Sequence, residues 1–170
     1  MLPEALIDAG SALLHACREA GLTIATAESC TGGLVAGCLT EVPGSSDVFE
    51  RGFVTYSNEA KTDLLGVPMP MILRHGAVSE EVAKAMAIGA LARSRALLTI
   101  AVTGVAGPGG GTAAKPVGLV HFASAMTGGV TAHERHEFEG SRTDIRREAV
   151  RAAIRMLADR IPRQAYQAGR

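Results

Sequence analysis

A serine at a strand-to-helix junction, a tyrosine–lysine pair and a glycine-rich run are the parts of this 170-residue chain best suited to chemistry. Ser29 stands in Ala27-Glu28-Ser29-Cys30-Thr31-Gly32-Gly33, straight after a short apolar run, where a hydroxyl can sit at the mouth of a sheet. The backbone N–H groups from Thr31 to Gly33 then fall in the unsatisfied first turn of a helix, which can bind a phosphate or stabilise an oxyanion. The pattern approaches a nucleophile elbow but lacks the two flanking glycines of Gly-x-Ser-x-Gly. A serine in this setting also serves simply as a helix cap. Cys30 is a rival nucleophile, because a helix start lowers a thiol pKa. Its other reading, a small apolar residue packed inward, is the one adopted.

Tyr56 and Lys61 form the next pair. With Asn58 as N-cap, Lys61 lies in the first turn of its helix, where the macrodipole mildly disfavours a cation. A lysine acts as a base only when neutral, and bringing its pKa from about 10.4 to near 7 requires burial or a neighbouring cation. Tyr56 reads either as a site residue or as a core aromatic with its hydroxyl at the surface. Between Thr103 and Thr112 lie five glycines, Gly104, Gly107, Gly109, Gly110 and Gly111. Such a run lets the backbone approach a ligand and offers N–H donors to phosphate. It is no P-loop, since Pro116 follows Lys115 and the Gly-to-Lys spacing is absent.

Other chemistries find less support. Cys17, Cys30 and Cys38 are an odd number without Cys-x-x-Cys spacing, so neither a disulfide framework nor a zinc site is expected. His133 and His136, three apart in a strand, point to opposite faces, and His15, His75 and His121 read as isolated. No metal and no cofactor are predicted. Lys plus Arg and Asp plus Glu number 17 each, there is no Trp, and aromatic residues make up 4%, which argues against nucleic-acid binding. Arg146, Arg147, Arg151 and Arg155 read as the solvated face of a helix, with Arg142 set apart as a candidate phosphate ligand. No signal peptide and no apolar run near the ~20 residues of a membrane span is found, so a cytoplasmic protein is expected.

The elements that must position these residues follow from periodicity and punctuation. Residues 3–20 read as an amphipathic helix ended by Gly21, and 22–27 as a buried strand. A helix over 34–40, a strand over 49–57 and a helix over 59–65 follow, then a loop at Pro68-Met69-Pro70. Ser79 caps a helix reaching about Arg95. A strand over 97–102, a hairpin of 117–126 with 130–139, and a helix from Ser141 to about Ile161 complete the pattern. This predicts one α/β domain over 1–161: three α/β/α layers and a mixed, mostly parallel sheet of about five strands, one antiparallel. Residues 162–170 are expected to fray. The clusters at Ser29, Tyr56–Lys61 and Thr103–Thr112 all follow strands, and in open α/β sheets ligands bind beyond the strands' carboxyl ends.

Five motifs together resemble the CinA C-terminal family. They are Ala27–Gly33, Tyr56-Ser57-Asn58-Glu59-Ala60-Lys61, Gly76-Ala77-Val78-Ser79-Glu80, Thr103–Thr112 with Lys115-Pro116-Val117-Gly118, and Phe138-Glu139-Gly140-Ser141-Arg142. The resemblance runs in order from about residue 5 to 160. It implies deamidation of nicotinamide mononucleotide (NMN) to nicotinate mononucleotide and ammonia, a step of pyridine nucleotide recycling. Some members carry an additional N-terminal domain similar to molybdopterin-binding proteins; this chain resembles the stand-alone deamidase. Leu97 stands where the family usually has Asp, and Ala113 and Ala114 where it has acidic residues, departures that touch no proposed chemical group.

Carried over, the resemblance makes Ser29, Tyr56 and Lys61 the catalytic set. The substrate-binding set is Cys30, Thr31, Gly32, Gly33, Thr103, Gly104, Gly107, Gly109, Gly110, Gly111 and Arg142. Ser29 would attack the carboxamide carbon, with Lys61 taking its proton directly or through Tyr56. Amides near Cys30 and Gly104 would hold the oxyanion, while the glycine-rich loop and Arg142 are candidates for the phosphate. Which loop serves which group stays open. The partners expected are a small-molecule substrate and further copies of the chain in a homo-oligomer, with no nucleic acid and no membrane. The competing readings are a non-catalytic nucleotide-binding regulatory module linked to competence or DNA damage, and a Cys30-dependent amidase.

Overall fold

The first helix shows how the sequence builds its layers. In α1 (Glu4–Ala20), Leu6, Gly10, Leu13, Leu14 and Cys17 recur at helical spacing and all are buried, and Gly21 ends the helix at φ 66°. The computed structural model describes residues 2–162, so the tail expected to fray lies, from residue 163 on, outside the described residues. The remaining elements are β1 (Ile24–Glu28), α2 (Leu34–Thr40), β2 (Phe49–Val54), α3 (Asn58–Leu65), α4 (Met69–His75), α5 (Glu80–Ala92), β3 (Leu98–Gly104), β4 (Leu119–Met126), β5 (Ala132–Glu137) and α6 (Arg142–Asp159). A short 3-10 turn spans Ser45–Asp47.

The five strands form one mixed sheet in the order β2-β1-β3-β4-β5. β1 pairs in parallel with both β2 and β3, and β4 is antiparallel to β3 and to β5. β4 is therefore the one strand running against the rest, as expected. The interior strand β1 is wholly buried, whereas the edges β2 and β5 are partly exposed and carry Glu50, Arg51, Arg135 and Glu137, charges that discourage edge pairing. One apolar cluster joins Leu6, Leu13 and Leu14 of α1, Val35 and Leu39 of α2 and Ile145, Ala149 and Leu157 of α6 to one sheet face. The other face carries Leu65, Ile72, Val82, Met86 and Ala90 of α3, α4 and α5. No described helix is long and apolar enough to cross a membrane.

Several boundaries differ from the sequence reading, each for a local reason. The strand expected over 49–57 ends at Val54, because Ser57 leaves the sheet to cap α3; its side chain accepts from the Ala60 N–H at 3.0 Å. Ser57, not Asn58, is thus the N-cap, and Lys61 stands four residues beyond it. Pro68-Met69-Pro70 is not a loop. It opens α4, with Pro70 in the first turn, where a missing N–H costs nothing. β3 continues to Gly104 and so includes Thr103, which was read as loop.

Gly89 of α5 fixes how low α3 sits. A Cβ placed there would lie 2.0 Å from the carbonyl oxygen of Leu65, the last residue of α3. No side chain larger than hydrogen allows that approach without moving one helix.

Candidate active site

Register brings the chemistry to one edge. Glu28 pairs with Val54 and with Val102, so the carboxyl ends of β1, β2 and β3 lie side by side. Successive side chains at a strand end point to opposite faces. Glu28 turns to α2 and Ser29 turns to α3, and each meets a different partner.

On the α3 side, Lys61 Nζ donates to Ser29 Oγ at 3.1 Å and to the carbonyl oxygen of Thr55 at 2.8 Å. Lys61 is only 1% exposed and Ser29 9%. Burial pushes the Lys61 ammonium below the usual lysine range; the charge of a Cys30 thiolate would oppose this. Burial also pushes the Cys30 thiol up to about 11, however, so at neutral pH that thiolate is scarcely formed. The helix start does not activate Cys30, which packs into the apolar cluster with Val35 and Ile145. In neutral Lys61 one N–H can stay on Thr55 while the nitrogen lone pair accepts the Ser29 hydroxyl proton. A serine and a buried amine so arranged can act as a nucleophile and its base.

On the α2 side the Gly32 and Gly33 amides expected to meet a ligand are taken up within the chain. The buried Glu28 carboxylate accepts from Gly33 and Val35 N–H at 3.0 Å each and from Ala36 N–H at 2.8 Å. Gly32 N–H is bonded to the Ser29 carbonyl at 3.0 Å. The protein's own anion occupies the place offered to a phosphate or oxyanion. Thr31, Gly32 and Gly33 do not line the cavity at Ser29. In this turn the Cys30 and Thr31 amides are the ones without an acceptor among the described residues.

That cavity, about 300 Å³, is lined by Ser29, Cys30, Tyr56, Lys61, Ala77, Val78, Thr103–Gly107, Gly109, Gly110 and Arg142. Its volume is at the small end for small-molecule sites. A groove of about 500 Å³ lined by Asp8, Ser11, His15 and Arg18 is larger, but no hydrogen bond joins Ser11 to His15 as one joins Ser29 to Lys61, so size does not identify the site. Thr103 Oγ1 donates to the Ala77 carbonyl at 2.8 Å, tying two cavity walls together. In the glycine-rich loop the Val105 and Thr112 amides are used internally, while those of Gly107, Gly109 and Gly110 meet no acceptor among the described residues. Gly111 belongs to the loop but does not line the cavity. A Cβ on Gly104 would lie 2.7 Å from the Leu119 carbonyl oxygen, which explains a glycine at the base of this wall.

Tyr56 stands at the mouth, 63% exposed, and its hydroxyl accepts from Arg142 at 3.0 Å. Arg142 also donates to the Gly107 carbonyl at 2.8 Å. The structure thus brings Lys61 to Ser29 and places Tyr56 with Arg142, so the direct proton route is the one with geometry behind it.

Sequence reasoning missed two residues. Glu28 has no role in the sequence reading beyond its place in the motif, although an acidic residue just before a helix start is itself a signal. Arg146, read as solvated, donates to the carbonyls of Cys30 at 3.1 Å and Thr31 at 3.0 Å. Its position four residues after Arg142 on one helix was the available hint. His121 is not isolated either: its Nδ1 lies 2.9 Å from His133 Nε2. Among the described residues no group of three or more His, Cys, Asp or Glu is arranged to hold a metal ion.

Comparison with known proteins shows the family and its fold. A family model described as the CinA C-terminal domain matches residues 8–161. A nicotinamide-nucleotide amidohydrolase, PncC of Escherichia coli K12, is 50% identical over 143 residues, covering 84% of this chain and 87% of that protein. A CinA-like protein of Mycolicibacterium gilvum is 54% identical over 138 residues, covering 81% of this chain and 33% of that protein. The chain therefore spans about a third of the length of such CinA-like relatives. The crystal structure of the competence/damage inducible protein CihA of Agrobacterium tumefaciens superposes with TM-score 0.91 at 49% identity, over 94% of this chain and 97% of that one. A CinA superfamily protein of Escherichia coli gives TM-score 0.86 at 36% identity, over 92% of each chain.

Proposed function

The chain belongs to the CinA C-terminal domain family, and on that premise we propose that it is an NMN deamidase using Ser29 as nucleophile and Lys61 as base. The observation that carries this reading is the 3.1 Å contact between Lys61 Nζ and Ser29 Oγ inside a cavity of small-molecule size. The similarity to an amidohydrolase of nicotinamide nucleotide supports the substrate.

Neutral Lys61 takes the Ser29 proton as Oγ attacks the carboxamide carbon. The resulting oxyanion is held by the Cys30 amide and an amide of the loop after Gly104. Lys61 returns the proton to the leaving nitrogen, ammonia departs, and an ester joins Ser29 to the nicotinoyl group. Water, deprotonated by Lys61, then cleaves that ester to nicotinate mononucleotide and restores Ser29. Arg142 and the amides of Gly109 and Gly110, unpaired among the described residues, receive the nucleotide phosphate at the mouth. A cytoplasmic homo-oligomer serving pyridine nucleotide recycling is the setting we propose, with residues 1–161 as its domain.

Ammonia release from NMN by the purified protein is the test. Ser29→Ala is expected to lose at least about 10³-fold in turnover, as nucleophile removal does elsewhere, and Cys30→Ala far less. Binding of NMN without ammonia release would favour a regulatory module. Loss in Cys30→Ala with activity kept in Ser29→Ala would favour a thiol amidase.

A further inference from the structure

We propose that Arg146 is a positioning residue for the nucleophile turn, clamping it from α6 while Glu28 clamps it from beneath. The inference rests on the reading of Ser29 as nucleophile.

The two residues hold opposite poles of the same short segment. Glu28 collects three N–H groups at the start of α2 and fixes where the helix begins. Arg146 collects the carbonyls of Cys30 and Thr31, the two residues that follow Ser29. These are the groups an opening or twisting of the turn would have to swing. Among the described residues no carboxylate pairs with Arg146, in contrast to Arg18 with Asp47, Arg51 with Glu50 and Arg155 with Glu134. Its two bonds to this turn are the side-chain bonds it makes.

The bonds also act along the peptide planes. The Cys30 carbonyl shares its peptide with the Thr31 N–H, and the Thr31 carbonyl shares its peptide with the Gly32 N–H. A guanidinium on each oxygen polarises the peptide and strengthens the N–H as a donor. The Gly32 N–H is the group bonded to the Ser29 carbonyl, so Arg146 tightens the contact that holds the Ser29 backbone. Arg142, one helical turn earlier on the same face, reaches Tyr56 and the Gly107 carbonyl. One face of α6 therefore aligns the nucleophile turn, the mouth and the glycine-rich loop.

Arg146→Met and Arg146→Lys, with Ser29→Ala as control, test this by steady-state kinetics, calorimetric binding of nicotinate mononucleotide and thermal melts. Misplacing a reacting group by about 1 Å costs on the order of 10²-fold. Arg146→Met is expected to lose about that much in kcat while binding the product like wild type. Added guanidinium ion should restore part of the loss, and Arg146→Lys, which keeps the charge but lacks the planar fork and the reach of the guanidinium, should fall between. Wild-type kcat in Arg146→Met overturns the proposal. So does a kcat loss matched by lost product binding and untouched by guanidinium, which is the mark of general damage to the fold. Turnover surviving in Ser29→Ala overturns the underlying serine reading instead, whatever Arg146 does.

Discussion

Lys61 Nζ lies between two oxygens, the Ser29 hydroxyl at 3.1 Å and the Thr55 carbonyl at 2.8 Å. The carbonyl orients the amine without neutralising it, and no carboxylate is bonded to it among the described residues. The charged form is therefore buried with dipoles alone to stabilise it, which accounts for the lowered pKa.

The pH dependence of activity follows from that. As pH falls below the folded pKa of Lys61 the amine gains a proton and can no longer accept one from Ser29. The rate kcat/KM should thus fall on the acid side along a limb governed by one group, with an apparent pKa below the ordinary lysine value of about 10.4. Lys61→Arg keeps the charge but stays protonated at every accessible pH. It should be nearly inactive and should show no such limb when ammonia release is followed across pH. Near-wild-type turnover in Lys61→Arg would restrict Lys61 to binding.

Under the proposed function the mouth serves binding and the Ser29–Lys61 pair serves chemistry. Arg142 bonds both Tyr56 and the loop, but neither Arg142 nor Tyr56 touches Ser29 or Lys61 by hydrogen bond. Hydrogen bonds to charged groups contribute about 1.5–3 kcal/mol, so Arg142→Met should raise KM by about 10- to 150-fold with a smaller effect on kcat. Tyr56→Phe removes one bond to Arg142 and should act in the same direction more weakly. A Tyr56→Phe variant that lost kcat as severely as Lys61→Arg would place the tyrosine in proton transfer after all.

Much of this site was legible in the sequence because its parts sit where local rules apply. Ser29 follows an apolar run, the glycines crowd into one loop, and Lys61 follows a good cap, so each could be placed on an element without tertiary information. Glu28 and Arg146 were not legible in the same way. Glu28 is part of a strand that is otherwise Ile, Ala and Thr, and only the fold shows that its carboxylate curls onto the next helix rather than toward a ligand. Arg146 is more than a hundred residues from the carbonyls that it holds, and only its spacing of four from Arg142 separates it from Arg147 or Arg151. In the fold, the sheet and its one reversed strand followed from the crossovers and the hairpin. α4 was hidden because Pro68 and Pro70 look like breaks, although a proline in a first turn is no break at all.

The histidine pair gives the protein an acid-sensitive element of its own. Burial first, then the charges of His133, Arg135 and Lys115, push His121 down to about 4, with Glu80 opposing. An unfolded histidine takes up its proton near pH 6.5. Between about 6.5 and 4 the unfolded chain therefore binds the proton and the folded one does not, so stability falls as pH falls through that window. Melting temperatures should decline across it, with a contribution of no more than about 1.4 kcal/mol per pH unit from this group. The decline should be shallower in His121→Leu, and an equal decline there would assign it to other groups.

Gly89 makes the basicity of Lys61 a matter of carpentry. The helix bearing the lysine can rest against α5 only because one methyl group is missing, 2.0 Å from the Leu65 oxygen where it would stand. Gly89→Ala should lift α3, admit water to Lys61 and return its pKa toward the ordinary value, moving the acid limb of the rate profile to higher pH. An unmoved limb in a folded Gly89→Ala variant would show that the helix yields elsewhere. The pH profile of the proposed reaction would then be set from α5, by a residue that does not line the cavity at Ser29.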